Sequence, residues 1–248
     1  MSGHSKWSTI KRKKGAADAK RGKLFTKLIR EMVTAARMGG ELAGNPRLRL
    51  AVDKARAANM PKDTIERAIA RGSGAGDDTV FEEVLYEGYG PGGTAVLVEG
   101  LTDNRKRTAG EVRHVFSKAG ASLGAPGCVA HLFEKKGLIG VAAEGLDGDA
   151  LLEAALEAGA EDVREGDDLW VVVTAPTAFE AVKEALEAGG HALAQAELTL
   201  EPSTTVPLAG EAAEAMVKLA EALEDLDDVQ AVHANYDIPD DVMAGLLG

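Results

Sequence analysis

The chain has 248 residues, 45% of them hydrophobic and 27% charged, with a formal net charge of −12. That is the composition of a folded chain long enough for one large domain or for two to three small ones. No run approaches the roughly 18 apolar residues of a membrane span, and a basic start without an apolar stretch or small-residue cleavage site is not an export signal. The single cysteine, Cys128, allows no intramolecular disulfide and fits a reducing compartment, so the expected location is the cytoplasm.

The chain opens on a basic arm. From Ser5 to Arg30 it carries Lys6, Lys11, Arg12, Lys13, Lys14, Lys20, Arg21, Lys23, Lys27 and Arg30 against one acid, Asp18. Residues 1–75 hold 18 Lys and Arg against 6 Asp and Glu, while the rest of the chain is strongly acidic. This asymmetry points to a polyanion-binding module joined to acidic domains. The competing reading is that the basic head docks on the acidic body of the same molecule.

After the arm, the 3.6-residue period predicts a helix over 19–38. Leu24, Leu28, Met32 and Ala36 face inward, Lys20, Lys23, Lys27 and Arg30 lie largely on the solvated side, and Gly39-Gly40 ends the run. Asn45-Pro46 reads as an N-cap and first position of a helix over 46–58. Pro61 opens a third helix that closes at Arg71-Gly72, and Gly72–Asp78 reads as a linker. Beyond it come a strand over 94–101, a helix over 105–119 and a strand over 128–134. The following strand, helix, strand, strand, helix, strand series over 138–201 has the β-α-β-β-α-β order of a ferredoxin-like unit. A helix over 209–224 and a strand near 229–236 close the chain.

The expected fold is therefore multidomain α and α+β: a basic arm and helical domain over 1–76, a split α+β domain over 77–135 plus 205–248, and a ferredoxin-like α+β domain inserted at 136–204.

Several long motifs in this order resemble the YebC family. They are GHSKW (Gly3–Trp7), DAKRGKLFTKLIRE (Asp18–Glu31), NPRLR (Asn45–Arg49), NMPKDTIERAI (Asn59–Ile69), YEGYGPGG (Tyr86–Gly93), DNRKRTAGEVRH (Asp103–His114) and FSKAGASLG (Phe116–Gly124). The resemblance is dense over residues 2–134 and general in the acidic insert. It implies the same three-domain architecture. Family members are described as cytoplasmic DNA-binding transcriptional regulators. The family also takes in the mitochondrial translational activator of cytochrome oxidase subunit I, and bacterial members tied to ribosomes and to relief of stalling at proline runs.

For the arm, contact with ~6 phosphates of duplex DNA would give a salt slope of about −5 in log K against log[salt]; such contacts give grip without sequence preference. Trp7 suits stacking on an unpaired base or, equally, a hydrophobic staple onto the helices; His4 suits a hydrogen bond to phosphate or sugar. The third helix offers Lys62, Asp63, Glu66 and Arg67, with no Asn or Gln, a poor face for reading base edges. Arg105, Lys106 and Arg107 form a second candidate contact, because bases at a helix start oppose the macrodipole, although plain capping by Asp103 or Asn104 leaves them merely solvated. Arg113 and His114, further along, are assigned to packing.

Gly88, Gly90 and Gly93 satisfy G-x-G-x-x-G but precede a strand rather than follow one, so they read as a tight loop and not a nucleotide site. His4, His114, His131, His191 and His233 lack metal-ligand spacing, and Cys128 reads as core. The expectation is a non-enzymatic protein with no cofactor, metal or small-molecule substrate and no membrane partner. Its partner is nucleic acid, either DNA in transcription or ribosomal RNA on the ribosome in translation.

Overall fold

The structure, a computed structural model, describes residues 18–74, 80–166 and 169–247. These divide between two compact units: one within Gly15–Ala130 and Glu211–Ala234, the other within His131–Gly210 and Asn235–Gly248.

The first unit begins with three helices, α1 (Asp18–Ala36), α2 (Pro46–Ala57) and α3 (Lys62–Gly72). Leu28, Met32 and Val33 of α1 pack with Leu48, Val52 and Ala55 of α2 and with Ile65 and Ala68 of α3 in one core. Asn45 does more than cap α2. Its side chain accepts from the Leu48 N–H at 3.0 Å, and its amide donates at 2.8 Å to the carbonyls of Ala35 and Gly39. One buried amide thus ties the end of one helix to the start of the next. Gly72 is where α3 crosses α1: a Cβ there would stand 2.4 Å from the Val33 carbonyl oxygen.

The unit continues with β1 (Glu82–Tyr89), β2 (Ala95–Thr102), α4 (Arg105–Lys118) and β3 (Ser122–Leu123). Two strands that the sequence pattern misread lie here. β1 runs through the segment taken as a loop: Gly88 is in the strand, and only Gly90–Gly93 form the turn, with Gly92 and Gly93 at φ 71° and 77°. Glycine sits mid-strand because a Cβ at Gly88 would meet the Phe116 ring at 2.6 Å and the Ser122 carbonyl oxygen at 2.5 Å. Conversely, 128–134 is not one strand. Glu87, 5% exposed, accepts backbone N–H bonds from Gly127, Val129 and Ala130 at 2.6–2.8 Å, so this backbone pairs with a carboxylate instead of a ladder. Replacing Glu87 by Ala orphans those donors and is expected to destabilise the unit by about 2–4 kcal/mol; an unchanged denaturant midpoint would refute that role.

The second unit holds β4 (Phe133–Ala142), α5 (Gly148–Glu157), β5 (Asp162–Arg164), β6 (Leu169–Thr174), α6 (Phe179–Ala188) and β7 (Leu193–Pro202). Its sheet order is β5-β6-β4-β7 with every neighbour antiparallel, the ferredoxin-like arrangement. β8 (Val206–Pro207) pairs in parallel with β10 (Tyr236–Asp237), and α8 (Asp240–Leu247) follows, a helix the sequence pattern did not mark.

Between β8 and β10 the chain re-enters the first unit as α7 (Gly210–Glu224) and β9 (Val229–Ala234). β9 is the fourth strand of the first sheet, in the order β3-β1-β2-β9. The inserted arrangement of two α+β parts after a helical region is thus observed directly.

Candidate nucleic-acid interface

His4, Lys6, Trp7, Lys11, Arg12, Lys13 and Lys14 lie outside the described residues. Lys20 falls in α1, but its side chain is also outside them.

The rest of the basic stripe on α1 is partly engaged within the first unit. Lys23, Lys27 and Arg30 recur at helical spacing and meet the end of α7. Lys23 Nζ donates to the Asp225 carbonyl at 3.1 Å and to its carboxylate at 3.3 Å, and Lys27 donates to the Glu224 carbonyl. Arg30 donates to the Asp227 carbonyl and to Asp228 Oδ1, the latter at 2.6 Å. A helix C-terminus presents unpaired carbonyls and negative dipole charge, so cations are its natural caps. Lys27 and Arg30 are consequently half-buried rather than solvated. The docking alternative describes these side chains. Arg21, by contrast, is exposed, over the Phe25 ring at 5.5 Å.

Burial shifts the Lys27 pair. Desolvation lowers the pKa of the Lys27 ammonium against the pull of Glu224, Asp225 and Asp227. It raises the Glu224 carboxyl in the same way against the Lys27 charge.

Asp228 is the centre of the contact. It is 2% exposed and accepts from Arg30 and Arg107 and from the hydroxyls of Thr102 and Thr108 at 2.6–3.1 Å. Burial alone would raise its carboxyl pKa. The Thr108 and Arg107 hydrogen bonds, the Arg30 charge and the Thr102 hydrogen bond outweigh that, leaving it below the ordinary carboxylate value. Sequence periodicity carries no signal for this residue, which lies in the turn before β9 and closes contacts with positions 120 and more residues away.

The second predicted contact divides. Asn104 caps α4, accepting from the Arg107 N–H at 3.1 Å. Arg107 bonds Asp103 and Asp228, both at 2.7 Å, which raises its pKa further above the ordinary arginine value. Arg105 stands 3.4 Å from Glu82. Lys106 is exposed and has no hydrogen bond or ion pair among the described residues. Arg113 and His114, assigned to packing from the sequence, are exposed instead; the inward positions of α4 are Thr108, Val112 and Phe116.

On α3 the outward charges neutralise one another. Lys62 pairs with Glu66 at 3.6 Å and Arg67 with Asp63 at 3.0 Å. A helix in this state has little to offer a base edge.

No group of three or more His, Cys, Asp or Glu among the described residues is arranged to hold a metal ion, and no described helix is long and apolar enough to cross a membrane.

Residues 5–75 match the family described as TACO1/YebC protein N-terminal domain, and residues 81–236 match TACO1/YebC second and third domain. A protein of Desulforapulum autotrophicum named a probable transcriptional regulatory protein is 58% identical over 243 residues, 98% of each chain. One of Trichlorobacter lovleyi with the same description is 57% identical over the full length of both. The crystal structure of a conserved hypothetical protein from Aquifex aeolicus superposes with a TM-score of 0.82 at 52% identity, covering 90% of this chain and 92% of that one.

Proposed function

This chain belongs to the TACO1/YebC family, and we propose from that premise that it is a non-enzymatic, cytoplasmic regulator of gene expression that works by binding nucleic acid. The observation that carries this reading is the arm, whose Lys6, Lys11, Arg12, Lys13 and Lys14 have no acid among them before Asp18. With them go His4, Trp7, Lys20, Arg21 and Lys106. Residues 1–76 hold all of these but Lys106, which lies in the split α+β domain over 77–135 with 205–248. The names of the relatives favour transcription and hence DNA. The second reading, a ribosome-associated translation factor on ribosomal RNA, is favoured by the self-paired charges of α3, which suit backbone or shape recognition better than base reading. Ultraviolet crosslinking in cells with sequencing of the attached nucleic acid separates the two. Discrete promoter fragments establish the first and clustered ribosomal RNA the second. Crosslinks to neither overturn the proposal.

A further inference from the structure

We propose that the exposed face of α4 is a second nucleic-acid contact, fitted to the backbone of double-helical RNA. This rests on the nucleic-acid reading above and extends it to residues other than those of the arm.

The first observation concerns charge. In the first unit, the described Lys and Arg side chains that carry no ion pair, hydrogen bond or ring contact among the described residues are Lys106, Arg113 and Lys118. All three lie on α4, in a part of the chain that is otherwise acidic. Positions 106, 110, 113 and 117 fall on one stripe of the helix, about 16 Å long. His114 and Lys118 flank it. Asp103 is held by Arg107 at 2.7 Å, so it does not screen the stripe.

The second observation is Gly110, at the middle of that stripe. Its φ is not in the left-handed region, and a Cβ built there would meet nothing within 4 Å. Gly72 and Gly88, by contrast, are each required by an atom of this chain within 2.6 Å of the Cβ site. A helix-interior glycine costs roughly 1 kcal/mol relative to alanine, and no described residue stands against it here. A bare centre between cations leaves room for an outside backbone to approach closely.

The face has cations, the Ser117 hydroxyl and the His114 imidazole, but no Asn or Gln. It can grip phosphates and sugar hydroxyls and is poorly equipped to read base edges. Double-helical RNA presents 2′-hydroxyls and phosphates across a broad, shallow minor groove, against which a convex helix with a bare centre can lie.

The test uses the full-length protein, a duplex RNA hairpin and a DNA hairpin of the same sequence, with affinity measured across a salt series. The triple variant K106A/R113A/K118A should lower the magnitude of the RNA salt slope by about 2–3. Gly110→Leu, which adds bulk without charge, should lose RNA affinity while its melting temperature equals or exceeds that of the parent. An unchanged slope, unchanged affinity of Gly110→Leu, or an equal slope change on the DNA hairpin overturns the proposal. An arm variant, K11E/R12E/K13E/K14E, run alongside separates the two claims. Loss of binding there with an unchanged slope in the triple variant refutes the α4 face alone. A parent protein that binds neither hairpin refutes the functional reading and this surface together.

Discussion

Asp228→Ala is expected to destabilise the first unit by about 3 kcal/mol. Removing one partner of a buried charge cluster leaves the others uncompensated, typically at 3–5 kcal/mol. The lower end applies because the abandoned cations are not sealed off: the side chains of Arg30 and Arg107 are 16% and 41% exposed, and Arg30 keeps the Asp227 carbonyl and the Phe81 ring. The two threonines also remain satisfied, since Thr108 can donate to the Asn104 carbonyl at 3.1 Å while its own oxygen, 2.8 Å from that of Thr102, accepts the Thr102 proton. Chemical denaturation of the variant checks the figure, and a loss below about 1 kcal/mol would mean that the cluster is incidental. The same carboxylate sets a pH dependence. Its folded pKa is depressed, so its contribution is fully present above the unfolded value near 4 and is lost as pH falls through the lower folded value. Asp228→Asn should therefore flatten the acid limb of the stability curve below about pH 4.

The second large effect concerns binding. Charge reversal at Lys11, Arg12, Lys13 and Lys14 changes the arm's charge by eight units and should reduce nucleic-acid affinity by at least about a hundredfold at physiological salt, with a much shallower salt slope. Thermal unfolding of the same variant should be unchanged. Lys23 must be left out of such a variant: it bonds Asp225, so reversing it would mix loss of binding with loss of helix docking. Parent-level affinity in the four-fold variant would remove the arm from the functional account.

How much of this was legible in the sequence depended on how local the cause was. Helices α1, α2 and α3 could be read because period, Asn45-Pro46 and the terminal glycines act over a few residues. The ferredoxin-like order could be read because each of its elements has its own hydrophobic pattern. β1 could not, because its alternation is broken by a buried Glu87 and by Gly88, and both are explained only by partners about 30 to 40 residues away. Cys128–Glu134 reads as one strand because it is largely apolar, but only Phe133 and Glu134 belong to β4, while the Val129 and Ala130 N–H groups go to Glu87. For the interface, composition identified the cationic segments and periodicity their faces. Neither could say that the end of α7 sits opposite Lys23, Lys27 and Arg30, nor that the α4 charges without a partner among the described residues are Lys106, Arg113 and Lys118 rather than Arg105 and Arg107.

The placement of β9 has a consequence for the order in which the protein is made. β2 ends at Thr102 and its partner begins at Val229, so at ~5–20 residues per second the ribosome works for roughly 6–25 s between them. The ferredoxin-like sheet, contiguous from Phe133 to Pro202, can assemble its strands within that interval. The earlier-made sheet waits with the edge of β2 open, and α1 waits with Lys23, Lys27 and Arg30 not yet capped by α7. A nascent chain therefore displays a broader cationic surface than the finished protein, and it narrows to its final extent only when the last fifteenth or so of the chain is about to emerge.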